Sequence, residues 1–193
     1  LGAIQQFIGD VDWGELDYLI IDFPPGTSDE PLTVAQNLPD IDGMVIVTTP
    51  QDVALLDSRK SITFANSLKV DVIGVIENMS GYTVRGKAPS GTEIELAAPG
   101  GKTVRVTADD EGRWSGTLDI FKSGGGEKTA EEFGVPFLGK LPFDPGFVRG
   151  GDDGVHRIVS EPDGPASLAF AEVVAQIQSK VESGSTNSGL EII

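Results

Sequence analysis

Short apolar runs, each closed by proline, glycine or a polar residue, constrain the fold of this chain more than any other feature. Four of them predict strands, at 16–23 (LDYLIIDF), 43–49 (GMVIVTT), 70–79 (VDVIGVIENM) and 135–141 (VPFLGKL). Unbroken runs are typical of parallel strands that are buried on both faces of a sheet. Amphipathic helices are predicted at 52–68, 127–133 and 165–181. The sequence therefore predicts an α/β fold with a mostly parallel sheet.

The apolar pattern changes its period to two within residues 81–120. Ile94 and Leu96 alternate with Glu93 and Glu95, and a similar alternation recurs later in the segment. Such alternation predicts strands with one face in water, and glycine and aspartate clusters between them supply turns. We predict that this segment is an antiparallel β-meander.

The change of pattern divides the chain. Residues 1–80 and 121–181 are predicted to form one α/β domain, with the meander inserted at 81–120. Residues 182–193 are polar for the most part, and we predict a disordered tail there.

The chain of 193 residues is strongly acidic, with 30 Asp and Glu against 14 Lys and Arg and a formal net charge of −16. Such a surface repels phosphate backbones and anionic lipid heads, which argues against nucleic-acid and membrane partners. No apolar run approaches the roughly 18 residues of a membrane span, and no signal peptide is visible, so a cytoplasmic location is predicted. The acidity favours a halophilic protein that loses its fold in dilute buffer, because salt screens self-repulsion.

The first predicted strand places Asp22 at its carboxyl end, followed by Pro24, Pro25, Gly26 and Thr27. Ligands of open parallel sheets bind at this edge. In a nucleotide-hydrolysing fold an aspartate there holds the water shell of Mg²⁺, and a glycine lets its N–H approach the terminal phosphate. The alternative is a strand exit that is only rich in turn formers.

Longer strings resemble the Mrp/ApbC family of P-loop ATPases, a branch of the deviant Walker A group that includes MinD and the nitrogenase iron protein. They are DVDWGELDYLIIDFPPGTSDEPLTVAQ, DGMVIVTTPQDVALLDSRKSI, GVIENMSGY and DIFKSGGGEKTAEEFGVPFLGKLPFDP. The resemblance covers most of the chain outside the insert and the tail. It implies a homodimer that binds ATP and Mg²⁺, assembles iron–sulfur clusters and passes them to client apoproteins.

The resemblance also implies roles for individual residues. Asp22 and Gly26 match catalytic positions, with Asp22 similar to the Walker B acid that acts on Mg²⁺ through water. Matches to nucleotide-contacting positions fall on Pro24, Pro25, Thr27, Asn78, Pro142, Phe143 and Asp144. An amide both donates and accepts, which suits the edge of adenine. The alternative for Asn78 is a hydrogen bond to its own turn.

The phosphate-binding loop of the family is not found in this sequence and is expected upstream of Leu1. The stretch 99–103 (PGGKT) is similar to such a loop, but Leu96 stands where the first glycine belongs. A period-two strand follows it, whereas phosphate binding of this type needs the start of a helix. We interpret 99–103 as a hairpin turn.

The chain has no cysteine. Family members usually carry Cys-x-x-Cys shortly after the segment that matches 77–80, and these thiolates hold the cluster. Without thiolates a cluster lacks its usual ligands, so we predict that this chain alone binds no cluster. We interpret the single histidine, His156, as a solvated loop residue.

Other interpretations stay open. A regulatory ATPase of the MinD or ParA kind could bind a protein partner through the insert, and a nonfunctional fragment is a third reading. The glycines at 124–126 could bind an anion at the start of a helix, or give that helix a flexible entry.

Overall fold

The computed structural model describes residues 2–24, 26, 29–38 and 40–185. Two helices, α1 (Gly2–Gly9) and α2 (Asp29–Asn37), come first and pack against each other. The remaining elements, in chain order, are β1 (Met44–Thr48), α3 (Asp52–Leu68), β2 (Val72–Glu77), β3 (Tyr82–Lys87), β4 (Glu93–Ala97), β5 (Thr103–Thr107), β6 (Arg113–Leu118), α4 (Gly125–Phe133), β7 (Phe137–Lys140), α5 (Pro145–Asp153), α6 (Arg157–Ser160) and α7 (Pro165–Ser185).

A three-stranded parallel sheet in the order β1-β2-β7 forms the centre of the body. Val47 lies opposite Ile76 of the middle strand, and Ile76 in turn lies opposite Gly139. Three of the four predicted apolar runs contribute these strands. The predicted α/β fold with a parallel sheet is therefore confirmed.

Both faces of this sheet are covered. On one face, Ile46 and Val75 pack with Ile62 of α3 and Ala130 of α4. On the other, Ile76 and Leu138 pack with Val173 of α7. Residues in both clusters are almost completely buried, which explains why β1, β2 and β7 read as unbroken apolar runs.

The prediction of a buried strand at 16–23 is wrong. This segment contains no strand, and most of its apolar side chains are exposed, Ile20 to 89%. A strand needs a neighbouring strand to satisfy its N–H and C=O groups. Among the described residues the only sheet neighbour of β1 is β2, and no strand pairs with 16–23.

The insert is antiparallel, as predicted, but its strands do not follow one another as a meander. β3 pairs with β6, and β4 pairs with β5. This gives one hairpin nested inside another. The two pairs pack through Gly116, where an added Cβ would lie 2.7 Å from a methyl carbon of Leu96. The alternation in sequence specifies which side chains face inward, but it does not specify which strands become neighbours.

Two further predictions concern the stretch 99–103 of the insert and the C-terminal tail. The stretch 99–103 is a hairpin connection, with the Ala98 N–H donating to the Lys102 carbonyl at 2.8 Å. The last helix continues to Ser185, so the predicted tail at 182–193 begins in helix, and 186–193 lies outside the described residues.

In the part of the chain that the structure describes, every helix is too short or too polar to cross a membrane.

A buried carboxylate holds the two ends of the insert together. Glu77, the last residue of β2, is fully buried. Its Oε1 accepts hydrogen bonds from the Ser80 hydroxyl at 2.5 Å and the Gly124 N–H at 3.0 Å, and its Oε2 accepts from the Gly126 N–H at 2.7 Å. Ser80 precedes the insert and Gly124 follows it, so one side chain fixes both ends against the sheet.

This contact corrects the idea that glycines 124–126 are only a flexible entry. The N-terminus of α4 binds an anion, and that anion is the Glu77 side chain of the same chain. Space is tight around these glycines. A Cβ on Gly125 would lie 2.6 Å from a Leu55 methyl carbon, and one on Gly126 would lie 3.0 Å from Cβ of Glu77.

We predict that Glu77→Gln lowers the free energy of unfolding by about 2–4 kcal/mol, because hydrogen bonds to a buried charged acceptor are lost and an amide NH₂ faces a glycine N–H. Urea unfolding measures the change. Glu127→Gln is the control, since Glu127 is exposed and pairs with Lys140 at the surface. Equal effects of the two substitutions would contradict this account.

Candidate functional site

Two of the predicted site segments meet at the carboxyl edge of the sheet. The Asn78 N–H donates to the Thr48 carbonyl at 2.7 Å, directly after β2. The Leu141 N–H donates to the Glu77 carbonyl at 2.8 Å, and the Ser80 N–H donates to the Leu141 carbonyl at 2.9 Å. Asn78 therefore lies in the turn that is hydrogen-bonded to the segment leading into Pro142.

The side-chain oxygen of Asn78 accepts a hydrogen bond within its own turn. Its Oδ1 accepts the Met79 N–H at 2.8 Å, as expected for a strand-end asparagine. Its side-chain NH₂ makes no hydrogen bond to another residue that the structure describes. Asn78 is half-buried, so these two donors remain available at the edge of the sheet.

The 142–144 segment is hydrogen-bonded to the start of the insert. The Phe143 N–H donates to the Gly81 carbonyl at 2.8 Å. The rings of Phe143 and Tyr82 meet edge to face, with centroids 5.9 Å apart and planes at 67°. An aromatic pair in this geometry adds to the stability that burial provides. It also places the first strand of the insert beside the predicted base-packing segment.

Asp144 has partners for both carboxylate oxygens. As N-cap of α5 it accepts the Gly146 N–H on Oδ1 at 2.8 Å, and it accepts from Arg157 Nε on Oδ2 at 3.0 Å. Burial alone would raise the pKa of Asp144, but the Gly146 N–H and the Arg157 guanidinium hold that pKa below its ordinary value. Asp144 thus starts α5 and ties it to α6.

A cavity of about 510 Å³ opens between the insert, the 142–144 segment and helices α5 and α6. Pro142, Phe143 and Asp144 line it, whereas Asp22, Pro24, Gly26 and Asn78 do not. Sequence reasoning did not single out its other polar and aromatic lining side chains, which include Tyr82, Arg85, Arg149 and Arg157. No local motif marks these residues, since they come from separate elements of the chain.

The loop that contains Asp22 is irregular chain between α1 and α2. Asp22 and Pro24 are exposed, and Gly26 has φ +105°, a conformation that favours glycine. Pro25 and Thr27 lie outside the described residues. A single exposed carboxylate fits a Mg²⁺ ion that takes its remaining ligands from water and phosphate. No set of three or more potential metal ligands comes together in the described part of the chain.

Comparison with known proteins shows the family. The chain matches the ParA family model, described as NUBPL iron-transfer P-loop NTPase, over residues 1–103 and 111–178. The chain belongs to this iron-transfer P-loop NTPase family. The matched range covers most of the insert as well as the α/β body. Membership places the chain among P-loop NTPases despite the departures in its sequence.

Curated relatives of this iron-transfer NTPase are called iron-sulfur cluster carrier proteins. The chain is 44% identical over 181 residues to the one from Methanocaldococcus jannaschii, covering 94% of this chain and 52% of that protein. It is 41% identical to the one from Saccharolobus solfataricus, covering 94% and 52%. The chain thus spans about half the length of the curated relatives that it matches.

Solved structures agree on the fold. A nucleotide-binding protein in complex with ADP from Archaeoglobus fulgidus is 32% identical, with a TM-score of 0.56 over 88% of this chain and 56% of that one. The septum site-determining protein MinD from Pyrococcus horikoshii has a TM-score of 0.58 at 16% identity, over 94% and 58%. The second likeness concerns the fold alone.

For this NTPase chain we predict that Asp144→Asn lowers the free energy of unfolding at pH 7 by about 0.5 kcal/mol, since the helix cap stays and only the partly exposed ion pair is lost. The pKa of Asp144 is lowered in the folded state, so its contribution is complete above the ordinary value of 3.8. The contribution is lost as the pH falls through the folded pKa.

Urea unfolding of wild type and Asp144→Asn between pH 7 and pH 2.5 measures this dependence. The difference between the two proteins should shrink toward zero at the acid end. Asp144→Ala, which also loses the helix cap, should cost about 1 kcal/mol more at both ends of the range. A difference between wild type and Asp144→Asn that grows in acid would show that the sign is wrong.

Proposed function

We propose that this chain forms the base-binding side of the nucleotide site in an ATP-hydrolysing iron–sulfur cluster carrier, which works as a homodimer and delivers clusters to client apoproteins. The supporting observation is the family match combined with the meeting of Asn78 and the 142–144 segment at one edge of the parallel sheet. The names of the curated relatives and the ADP bound to the A. fulgidus protein support the same conclusion.

Each residue at this edge has a definite task in the proposal. The free NH₂ of Asn78 donates to acceptor nitrogens of adenine, while Pro142 and Phe143 pack against the face of the base. Asp144 acts by fixing the start of α5, because both of its oxygens already have partners.

The loop around Asp22 serves the other end of the nucleotide. Asp22 would hold Mg²⁺ through water, and the ion would supply positive charge that stabilises the phosphates. Gly26 turns its N–H toward the terminal phosphate, and Pro24, Pro25 and Thr27 shape the loop. Asp22 is exposed and does not line the cavity beside the 142–144 segment, so its carboxylate is open to solvent and to a metal ion.

We predict that Asn78→Ala weakens ATP binding by the protein as encoded by its gene about tenfold, the equivalent of about 1.4 kcal/mol for the lost amide hydrogen bonds. Equilibrium binding of a fluorescent ATP analogue in Mg²⁺ measures the change. Asn66→Ala, on the exposed side of α3, is the matched control and should bind like wild type. The proposal fails if wild type neither binds ATP nor hydrolyses it.

The sequence contains no cysteine, the usual ligand of iron–sulfur clusters, and we therefore predict that this chain alone binds no cluster. Anaerobic reconstitution of the chain with iron and sulfide should give no stable visible absorbance. A stoichiometric cluster would overturn this prediction and would reveal ligands of another type.

The same lack of cysteine favours an alternative function. In it the protein is a regulatory ATPase of the MinD or ParA kind that binds a protein partner through the insert. Nucleotide binding without any capture or transfer of a cluster would support that alternative over the carrier. In either function the net charge of −16 supports work in a salty cytoplasm.

A further inference from the structure

Two arginines of this chain stand apart from the rest. Of the six arginines in the sequence, four form ion pairs with carboxylates, namely Arg59, Arg105, Arg113 and Arg157. Arg85 and Arg149 have no carboxylate within ion-pair distance among the residues that the structure describes. Both of them line the cavity between the insert and helices α5 and α6.

The two guanidinium groups come from different parts of the molecule. Arg85 lies on β3 of the insert, and Arg149 lies on α5 of the body. The third arginine of the cavity, Arg157, is held by Asp144 and Glu161. The start of α5 is no anion site either, since Asp144 already accepts the Gly146 N–H. Arg85 and Arg149 are therefore the cations that remain for a ligand.

The electrostatic setting of the cavity differs from the rest of the protein. Its charged lining residues are balanced in number, the three arginines facing Asp144, Asp153 and Glu161. The chain as a whole carries a net charge of −16. Asp144 and Glu161 share the single Arg157, so the lining is neutral as a whole, and an anion entering here meets less negative charge than elsewhere on this acidic protein.

Much of the remaining lining is apolar. The edge-to-face pair of Tyr82 and Phe143 lies on the insert side, and Pro145, Val155 and Pro165 lie on the helical side. A volume of about 510 Å³ lies within the range of sites for small organic ligands, roughly 300–1,000 Å³. Pure electrostatic capture of an inorganic ion would not need these ring faces.

We propose that this cavity binds a small organic anion in which an aromatic or apolar body carries a phosphate or a carboxylate group. Arg85 and Arg149 bind the anionic group from opposite walls, since guanidinium forks match the oxygens of both groups. The body of the ligand packs against Tyr82 and Phe143. The ligand thereby bridges the insert and the body; it contacts Phe143, which the proposed adenine site also uses, but not Asn78, which does not line the cavity.

Calorimetric titration of the purified chain with phenyl phosphate, phenylacetate and inorganic phosphate tests the proposal. We expect wild type to bind phenyl phosphate or phenylacetate with Kd on the order of 0.1–1 mM, and inorganic phosphate at least tenfold more weakly. The tighter of the two organic probes identifies the anionic group. Arg85→Gln and Arg149→Gln should each weaken the tighter probe at least tenfold.

Two variants serve as controls. Arg105→Gln removes an insert arginine that pairs with Glu95 within the inner hairpin, β4–β5, and its binding should equal that of wild type. Asn78→Ala should also bind the probe like wild type, which separates this site from the proposed base contact.

Three results would overturn the proposal. One is the absence of binding by both organic probes up to about 10 mM. Another is unchanged binding by Arg85→Gln and Arg149→Gln, with thermal melting confirming that they are folded. The third is an equal loss in Arg105→Gln, which would indicate that only overall charge matters.

Discussion

The hydrogen bonds of Glu77 are the interaction on which the rest of this structure depends. A carboxylate at the end of the central strand is taken out of water, which is costly unless its oxygens are well satisfied. Here they accept from one hydroxyl and two glycine N–H groups, at the start of a helix whose dipole favours negative charge. The contact joins the middle strand, the helix α4 and both ends of the insert at one point.

The order of the strands in the insert follows from this junction. Because Ser80 and Gly124 are held by the same side chain, the first and last strands of the insert, β3 and β6, leave from neighbouring positions. They pair with each other, and β4 and β5 form the inner hairpin. The same junction brings Tyr82 beside Phe143, so the insert contributes a wall to the cavity at the edge of the sheet.

The sequence was sufficient to predict the elements that pair or pack with other described elements. The helix at 52–68 and the three central strands carry strong patterns, and both sides of their sheet are covered by described helices. The run at 16–23 has an equally apolar pattern but no described strand to pair with, and it is exposed. Apolarity specifies a preference for burial, whereas a strand also requires hydrogen-bonding partners.

Predicting the site from sequence was limited in the same way. Motif resemblance found Asn78 and the 142–144 segment, which meet at the sheet edge. The pairing of Arg157 with Asp144 and the placement of Arg85 and Arg149 around one cavity depend on how distant elements pack. Glu77 did leave a signal, since an acidic residue ends an apolar strand and a run of three glycines occurs later in the chain. Only the folded structure shows that these two features meet.

The most direct test of the central role of Glu77 is native-state hydrogen exchange at single amides, compared between wild type and Glu77→Gln. The Gly126 N–H, which Glu77 accepts at 2.7 Å, reports on the junction, and the Val75 N–H, which donates to the Pro136 carbonyl at 2.9 Å, reports on the sheet. The account predicts that the substitution speeds exchange at Gly126 far more than at Val75. Equal acceleration at both amides, or unchanged protection at Gly126, would contradict it.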